Sequence, residues 1–259
     1  VKQILITGVA GFIGYHLARL LLNKNFHVIG IDNLNSYYDI SLKKDRLKIL
    51  HKSPNFQFYK SDLVKKNDIA SIFAKYNFSH VVHLSAQVGV NFSLKDPQLY
   101  IDSNITGFLN VLENCKSYDV KNLIYASSSS VYGNNKELPF LEDHKTDRPV
   151  SVYGVSKKVN ELLAHSYSAL YDLQTIGLRF FTVYGPWGRP DMAYYSFTEK
   201  ILKNEQIEVY NYGKVERDFT YIDDVIMGIK SAIKKNFSLE VFNLGNSRKE
   251  KILSLIKVI

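Results

Sequence analysis

The chain has 259 residues, 46% of them hydrophobic and 22% charged, with a single cysteine, Cys115. That balance is globular and excludes disordered or collagen-like chains, and one cysteine excludes an internal disulfide framework and fits a reducing compartment. A formal charge of +8 would suit a polyanion, but the lysines are scattered as pairs (Lys43-Lys44, Lys65-Lys66, Lys157-Lys158, Lys234-Lys235) without zinc-finger spacing, basic helix or RNA-binding aromatic motif, so no nucleic-acid partner is expected.

No apolar run approaches the roughly 20 residues that span a bilayer, so no membrane partner is expected either. The N-terminus runs straight into a strand, from which no signal peptide and a cytoplasmic location are expected. Strands are predicted at 3–7, 26–31, 56–59, 80–84, 121–126 and 174–179, and helices at 12–23, 41–50, 65–76, 98–117 and 152–171. This alternation defines an α/β chain of the Rossmann class, a doubly wound parallel sheet with helices on both faces. Near-continuous apolar runs such as His80-Val81-Val82-His83-Leu84 fit strands buried on both sides.

After residue 180 the pattern changes to a Gly/Pro turn, Gly185-Pro186-Trp187-Gly188-Arg189-Pro190. A helix near 192–204, a short strand near 207–210 and a helix near 223–234 follow. Residues 1–180 are expected to form the dinucleotide-binding domain, with later strand and helix returns near 212–245. Residues 181–259 are expected to form a smaller α/β substrate cap interleaved with it. The final apolar positions, Ile252, Leu253, Leu255, Ile256 and Ile259, have helical spacing.

Strand one leads into Thr7-Gly8-Val9-Ala10-Gly11-Phe12-Ile13-Gly14, and an amphipathic helix starts at once. Glycines make the tight turn and let backbone approach a pyrophosphate, which the helix N–H groups and dipole then hold. About 20 residues on, strand two ends at Asp32, where a carboxylate can accept from adenosine ribose hydroxyls. It would repel a 2′-phosphate, and Asn33 rather than arginine follows it, so NAD is favoured over NADP. Ser61-Asp62 and Leu84-Ser85-Ala86-Gln87 end the third and fourth strands, where ligand loops of open α/β sheets lie.

Tyr153 and Lys157 stand four apart at the start of a helix and so share a face. A nearby ammonium favours phenolate over phenol, which makes Tyr153 a candidate general base for a sugar or alcohol hydroxyl. The serine run Ser127-Ser128-Ser129-Ser130 follows the fifth strand. One of its hydroxyls can bond the reacting oxygen, and the rest can serve as turn caps.

These segments together resemble the extended short-chain dehydrogenase/reductases, in their nucleotide-sugar epimerase branch. The carrying segments are Thr7 to Gly14, His83 to Gln87, Ser127 to Gly133, Tyr153 to Lys157 and Arg217 to Asp224. Asp32 to Asp39 and Arg179 to Met192 narrow the likeness to UDP-glucuronate 4-epimerases. The resemblance implies Tyr153 as base, Lys157 as its partner and as holder of the nicotinamide ribose, and Ser128 as the hydroxyl on the sugar O4. It implies Ser129, Ser130, Thr182, Arg189, Tyr210 and Arg217 as further contacts to the UDP-sugar. It adds Lys43, Leu63 and Asn104 to the cofactor contacts Gly8, Gly11, Phe12, Ile13, Gly14, Asp32, Asn33, Asp62, Leu84, Ala86 and Gln87. No metal site is expected.

The implied reaction is NAD-dependent 4-epimerisation of UDP-glucuronate to UDP-galacturonate through a 4-keto intermediate. Another UDP-hexose, decarboxylation of UDP-glucuronate, or a catalytically impaired NAD-binding remnant are the alternatives. The pattern departs at Asn91, where uronate epimerases carry arginine. Relatives of this kind continue beyond the position of Ile259, so a C-terminally shortened cap is expected. Pairing of two copies through the helices near 98–117 and 152–171 is the expected assembly.

Overall fold

The computed structural model describes residues 2–235 and 237–259, with Tyr210 and Asn211 described by backbone alone. Seven parallel strands form the central sheet: β1 (Gln3–Thr7), β2 (His27–Asp32), β3 (Phe56–Lys60), β4 (Phe78–His83), β5 (Asn122–Ser128), β6 (Gln174–Phe180) and β9 (Leu239–Leu244). Their order is β3-β2-β1-β4-β5-β6-β9. The five predicted strands after the first are all present, displaced at their ends by one or two residues. Four of the five residues of β1 and five of the six of β2 are buried, as continuous apolar runs require when helices cover both faces.

Helices α1 (Phe12–Leu22), α2 (Ile40–Leu50), α3 (Lys66–Phe73), α4 (Pro97–Tyr100), α5 (Gly107–Ser117), α6 (Val152–Tyr171), α7 (Ala193–Leu202), α8 (Ile222–Lys234) and α9 (Ile252–Val258) complete the order. One core lies between the sheet and α1, α2 and α8, built on residues such as Ile4, Leu17, Leu47, Ile176 and Ile229. The other lies between the opposite face and α3, α5 and α6, around Leu5, Phe73, Val81, Phe108 and Leu123. Cys115 belongs to this second core and is fully buried. The helix expected at 98–117 is one helical run whose middle, Ile101–Thr106, winds as a π-helix, a local widening common at functional sites.

A second sheet of three strands holds β7 (Thr182–Tyr184), β8 (Glu216–Tyr221) and β10 (Lys249–Lys251) in the order β10-β8-β7. The strand expected at 207–210 is not there. Residues 205–209 carry no regular structure, and Tyr210–Gly213 form a 3-10 turn. The alternation of Ile207, Glu208 and Val209 is strand-like, but a strand needs a paired edge, and among the described residues neither sheet pairs with this segment. Gly213, at φ +72°, turns the chain toward it. Among the described residues no helix is long and apolar enough to cross a membrane.

Candidate active site

The sheet runs outward from β1 to β3 and then returns to β4 on the other side of β1. The loops after β1 and β4 therefore diverge, and the crevice between them is where open α/β sheets bind ligands. Gly8 sits at φ +72°, and a Cβ there would lie 2.8 Å from Ser85 N and 2.9 Å from Leu84 C. The two loops touch so closely that only glycine fits. A Cβ on Gly14 would meet Gly8 O at 2.2 Å, so α1 is seated directly on the turn. Gly11 caps α1 in extended conformation with no side-chain cap and no acid in the first turn, which leaves the helix N-terminus for an anion.

Behind the turn, Thr7 Oγ1 pairs with His83 Nδ1 at 2.9 Å and accepts from Ser85 N at 3.3 Å. Burial pushes His83 down to about 3, so it is neutral. Asp32, 6% exposed, accepts from Ala10 N at 3.2 Å and Leu34 N at 2.9 Å. Lys43 Nζ stands 4.0 Å from it and donates to Asn35 O and Asn35 Oδ1 at 3.0 and 2.7 Å. Burial holds the Asp32 carboxyl above its ordinary value in spite of Lys43. Asn33 Nδ2 donates to Asp62 Oδ2 at 2.9 Å, joining the ends of β2 and β3. On the far wall Gln87 is buried, and among the described residues its Nε2 has no hydrogen-bond partner. An uncapped helix end, a glycine turn and an unspent amide donor fit a dinucleotide lying across β1.

Tyr153 and Lys157 enter the same cleft from the first turns of α6, whose start is fixed by Ser151 Oγ accepting from Gly154 N at 3.0 Å. Lys157, 1% exposed, donates to Ala126 O at 2.9 Å and lies 6.0 Å from the Tyr153 ring centre. Burial pushes Lys157 down to about 7. Burial also raises Tyr153 above its ordinary value, against the opposing pull of the Ser128 hydroxyl and the Arg189 guanidinium. The Ser128 hydroxyl and the Arg189 guanidinium thus join the groups that favour the Tyr153 phenolate, and Lys157, the partner expected from the spacing, stands beside the ring while donating to the Ala126 carbonyl.

Below the serines lies a buried network. Ser127 Oγ donates to Glu161 Oε1 at 2.7 Å, and Arg179 donates to both Glu161 oxygens at 2.9 and 3.0 Å and to Tyr132 Oη at 2.8 Å. It fixes the end of β5, from which Ser128 projects into the cleft.

Seventeen expected residues line the cleft: Gly8, Gly11, Phe12, Ile13, Gly14, Asp32, Asn33, Lys43, Asp62, Leu63, Leu84, Ala86, Gln87, Ser128, Tyr153, Lys157 and Arg189. Others stand elsewhere. Asn104, in the π-helical stretch, is behind the wall: it accepts from Gln87 N at 2.7 Å and donates to Gln87 O and Ser156 Oγ at 3.0 Å each. Ser129 and Ser130 belong to a 3-10 turn, where Ser130 N donates to Ser128 Oγ at 3.2 Å. Thr182 opens β7, half-buried and outside the cleft lining. Arg217, on β8, is exposed and donates to Glu216 O at 2.9 Å, with no ion pair among the described residues. The Tyr210 side chain lies outside the described residues.

Arg189 is not free. It donates to Asp191 Oδ1 at 2.9 Å and Oδ2 at 2.6 Å, so one carboxylate already balances its charge. Tyr37 adds a wall that the sequence did not single out as a contact. It lines the cleft, its hydroxyl donates to Asp191 Oδ2 at 3.4 Å, and it packs so tightly on Gly89 that a Cβ there would meet its oxygen at 2.2 Å. Sequence reasoning also passes over Arg46, which is fully buried between the glycine turn and the Arg189 turn.

The chain belongs to the NAD dependent epimerase/dehydratase family, which it matches over residues 4–245. It is 47% identical over 99% of its length to Protein CapI of Staphylococcus aureus, covering 82% of that protein. It is 45% identical to UDP-glucuronate 4-epimerase 4 of Arabidopsis thaliana, over 99% of this chain and 62% of that one. A crystal structure of UDP-glucuronic acid 4-epimerase from Bacillus cereus, in complex with UDP-glucuronic acid and NAD, superposes with a TM-score of 0.92. The two sequences are 37% identical, and the match covers 99% of this chain and 82% of that one.

Proposed function

We propose that this chain is an NAD-dependent 4-epimerase of UDP-sugars whose substrate is UDP-glucuronate. The observation that carries the reading is the convergence of Tyr153, Lys157 and Ser128 with the Gly8–Gly14 turn and Asp32 in one cleft. In this reading residues 1–180 hold the dinucleotide and 181–259 the sugar nucleotide. The likeness to enzymes that act on UDP-glucuronate, over nearly the whole of this chain, supports the uronate.

The first-turn amides of α1 receive the pyrophosphate, and Asp32 accepts from the adenosine ribose, whose hydroxyls would offset its burial. Bound NAD supplies a reversible hydride acceptor. Tyr153 takes the proton of the sugar 4-hydroxyl, and Ser128, beside it, donates a hydrogen bond to the same oxygen as it becomes a carbonyl. Lys157, held by Ala126 O, reaches the nicotinamide ribose. After the 4-keto sugar presents its other face, Tyr153 returns the proton, so the sugar is inverted at C4 with no net oxidation. Arg189 and Arg217 serve the diphosphate, for which the guanidinium fork is suited. Arg189 then exchanges part of its bond to Asp191 for the ligand.

Helices α5 and α6 expose Leu109, Val155 and Leu162, which supports pairing of two copies there; sedimentation at rising concentration tests it. The functional test is incubation with UDP-glucuronate, UDP-glucose and UDP-N-acetylglucosamine, with products resolved by NMR. Conversion of UDP-glucuronate to UDP-galacturonate is expected. Release of carbon dioxide, or turnover of only a neutral sugar, would replace the uronate reading.

A further inference from the structure

The turn that carries Arg189 is held in conformations that backbone seldom adopts. Trp187 sits at φ +62° and Gly185 at φ +144°. A Cβ at Gly185 would lie 2.5 Å from Ile222 Cγ2, and one at Gly188 would lie 2.3 Å from Tyr194 Oη. A bulky aromatic residue in the left-handed region persists only where its surroundings over-determine it.

Those surroundings come from the dinucleotide side of the cleft. His16, on α1, donates from Nε2 to Pro186 O at 2.9 Å. Arg46, on α2, donates to Trp187 O at 2.6 Å and to Gly188 O at 3.4 Å. The same guanidinium donates to Ala10 O, inside the glycine turn, at 2.9 Å and to Tyr38 Oη at 2.9 Å. The Trp187 ring rests 5.6 Å from that of Tyr15. Arg46 is fully buried, and among the described residues no carboxylate lies within ion-pair distance of it. Burying an arginine against carbonyls and a phenol, with no carboxylate beside it, is costly, so the geometry of its fork, and not a charge pair, is what this position uses. A lysine ammonium cannot span carbonyls on two separate turns in the way a planar fork does.

We infer that Arg46, assisted by His16, is a positioning residue that locks the dinucleotide turn and the Arg189 turn into one unit, so that dinucleotide and sugar nucleotide strengthen each other's binding. The coupling rests on the reading that this cleft takes both ligands. Such coupling is reciprocal: whatever the nucleotide gains from bound NAD, NAD gains from the bound nucleotide.

Trp187 is the single tryptophan of the chain, so its emission reports on this turn alone. The test compares the NAD-loaded wild type with Arg46→Lys and His16→Ala by acrylamide quenching of Trp187, UDP affinity by calorimetry, and the rate of NAD loss with and without UDP. In a folded Arg46→Lys protein, quenching should rise and UDP affinity should fall roughly tenfold, the size of one lost charge-assisted hydrogen bond. UDP should also cease to slow NAD release. Wild-type quenching together with wild-type slowing of NAD release in that variant would overturn the inference. Should Arg46→Lys fail to fold, His16→Ala removes only the Pro186 tie, and increased quenching there supports the lock while unchanged quenching overturns it. A wild type that binds no UDP would sink the functional reading and the coupling with it, whereas the quenching comparison would still decide whether the lock exists.

Discussion

Asn104 grips the backbone of Gln87 as a neighbouring strand would, accepting from its N–H at 2.7 Å and donating to its C=O at 3.0 Å. The grip depends on the π-helical stretch Ile101–Thr106, and Asn160 Nδ2 secures that stretch by donating to Asn104 O at 2.7 Å. Gln87 and its neighbours Ser85 and Ala86 form one wall of the cleft, so the wall is set by a side chain that never enters it.

Asn104→Ala leaves a buried N–H and C=O at Gln87 without partners, which costs about 1–3 kcal/mol per group. The expected result is a lower midpoint in urea and faster loss of NAD from a protein that still folds. Equal NAD retention in the two proteins would show that the wall stands without Asn104.

Tyr153→Phe removes the proton acceptor while keeping the ring. Turnover should fall by about 10²–10⁴-fold, the range for loss of a general acid–base group, with the UDP affinity little changed. Because the Arg189 guanidinium opposes the rise that burial imposes on Tyr153, Arg189→Gln should move the acid limb of the pH–rate profile to higher pH. A limb that stays in place would remove Arg189 from the tuning of the phenol.

Glu161 and Arg179 form a buried ion pair, their side chains 6% and 4% exposed. Burial alone would raise the Glu161 carboxyl, yet the Arg179 fork and Ser127 outweigh it and hold it below its ordinary value. Stability from this pair is therefore complete above the unfolded carboxylate range, near 4.3, and is lost as pH falls through the lower folded value. Glu161→Gln strands a buried guanidinium and should cost about 3–5 kcal/mol at neutral pH. Its stability should also fall less steeply on acidification, as thermal melts between pH 3 and 7 would show.

Lys157 has the opposite character. With its folded value near 7 and an unfolded value of about 10.4, the unfolded chain binds one more proton throughout that interval. Stability due to this residue must rise with pH across it. Lys157→Met should abolish turnover while flattening the rise, so that the variant gains most over wild type below pH 7. Melting temperatures of the cofactor-free proteins at pH 6, 8 and 10 measure this directly.

Much of this was legible in the sequence because it depends on local periodicity and on single residue types. Apolar runs gave β1 to β6, the spacing of Gly8, Gly11 and Gly14 gave the anion turn, and Asp32 at a strand end gave the ribose acceptor. What stayed hidden depends on partners distant in the chain. Arg46 follows Lys43 and Lys44 on α2 and reads there as a solvated charge, although it is buried against Trp187, 141 positions away. Arg189 reads as a free fork, although Asp191 holds it. The four serines are indistinguishable until β5 is in place, where its last two residues point to opposite sides, Ser127 to Glu161 and Ser128 to the cleft.

Cys115 has one practical consequence. It is completely enclosed by the core beneath α5, and burial pushes its thiol far above the usual range, so the folded chain offers no sulfhydryl to a maleimide reagent. A cysteine introduced at one exposed position, such as Asn204 beyond α7, would carry a dye or spin label alone, with no native thiol to remove beforehand.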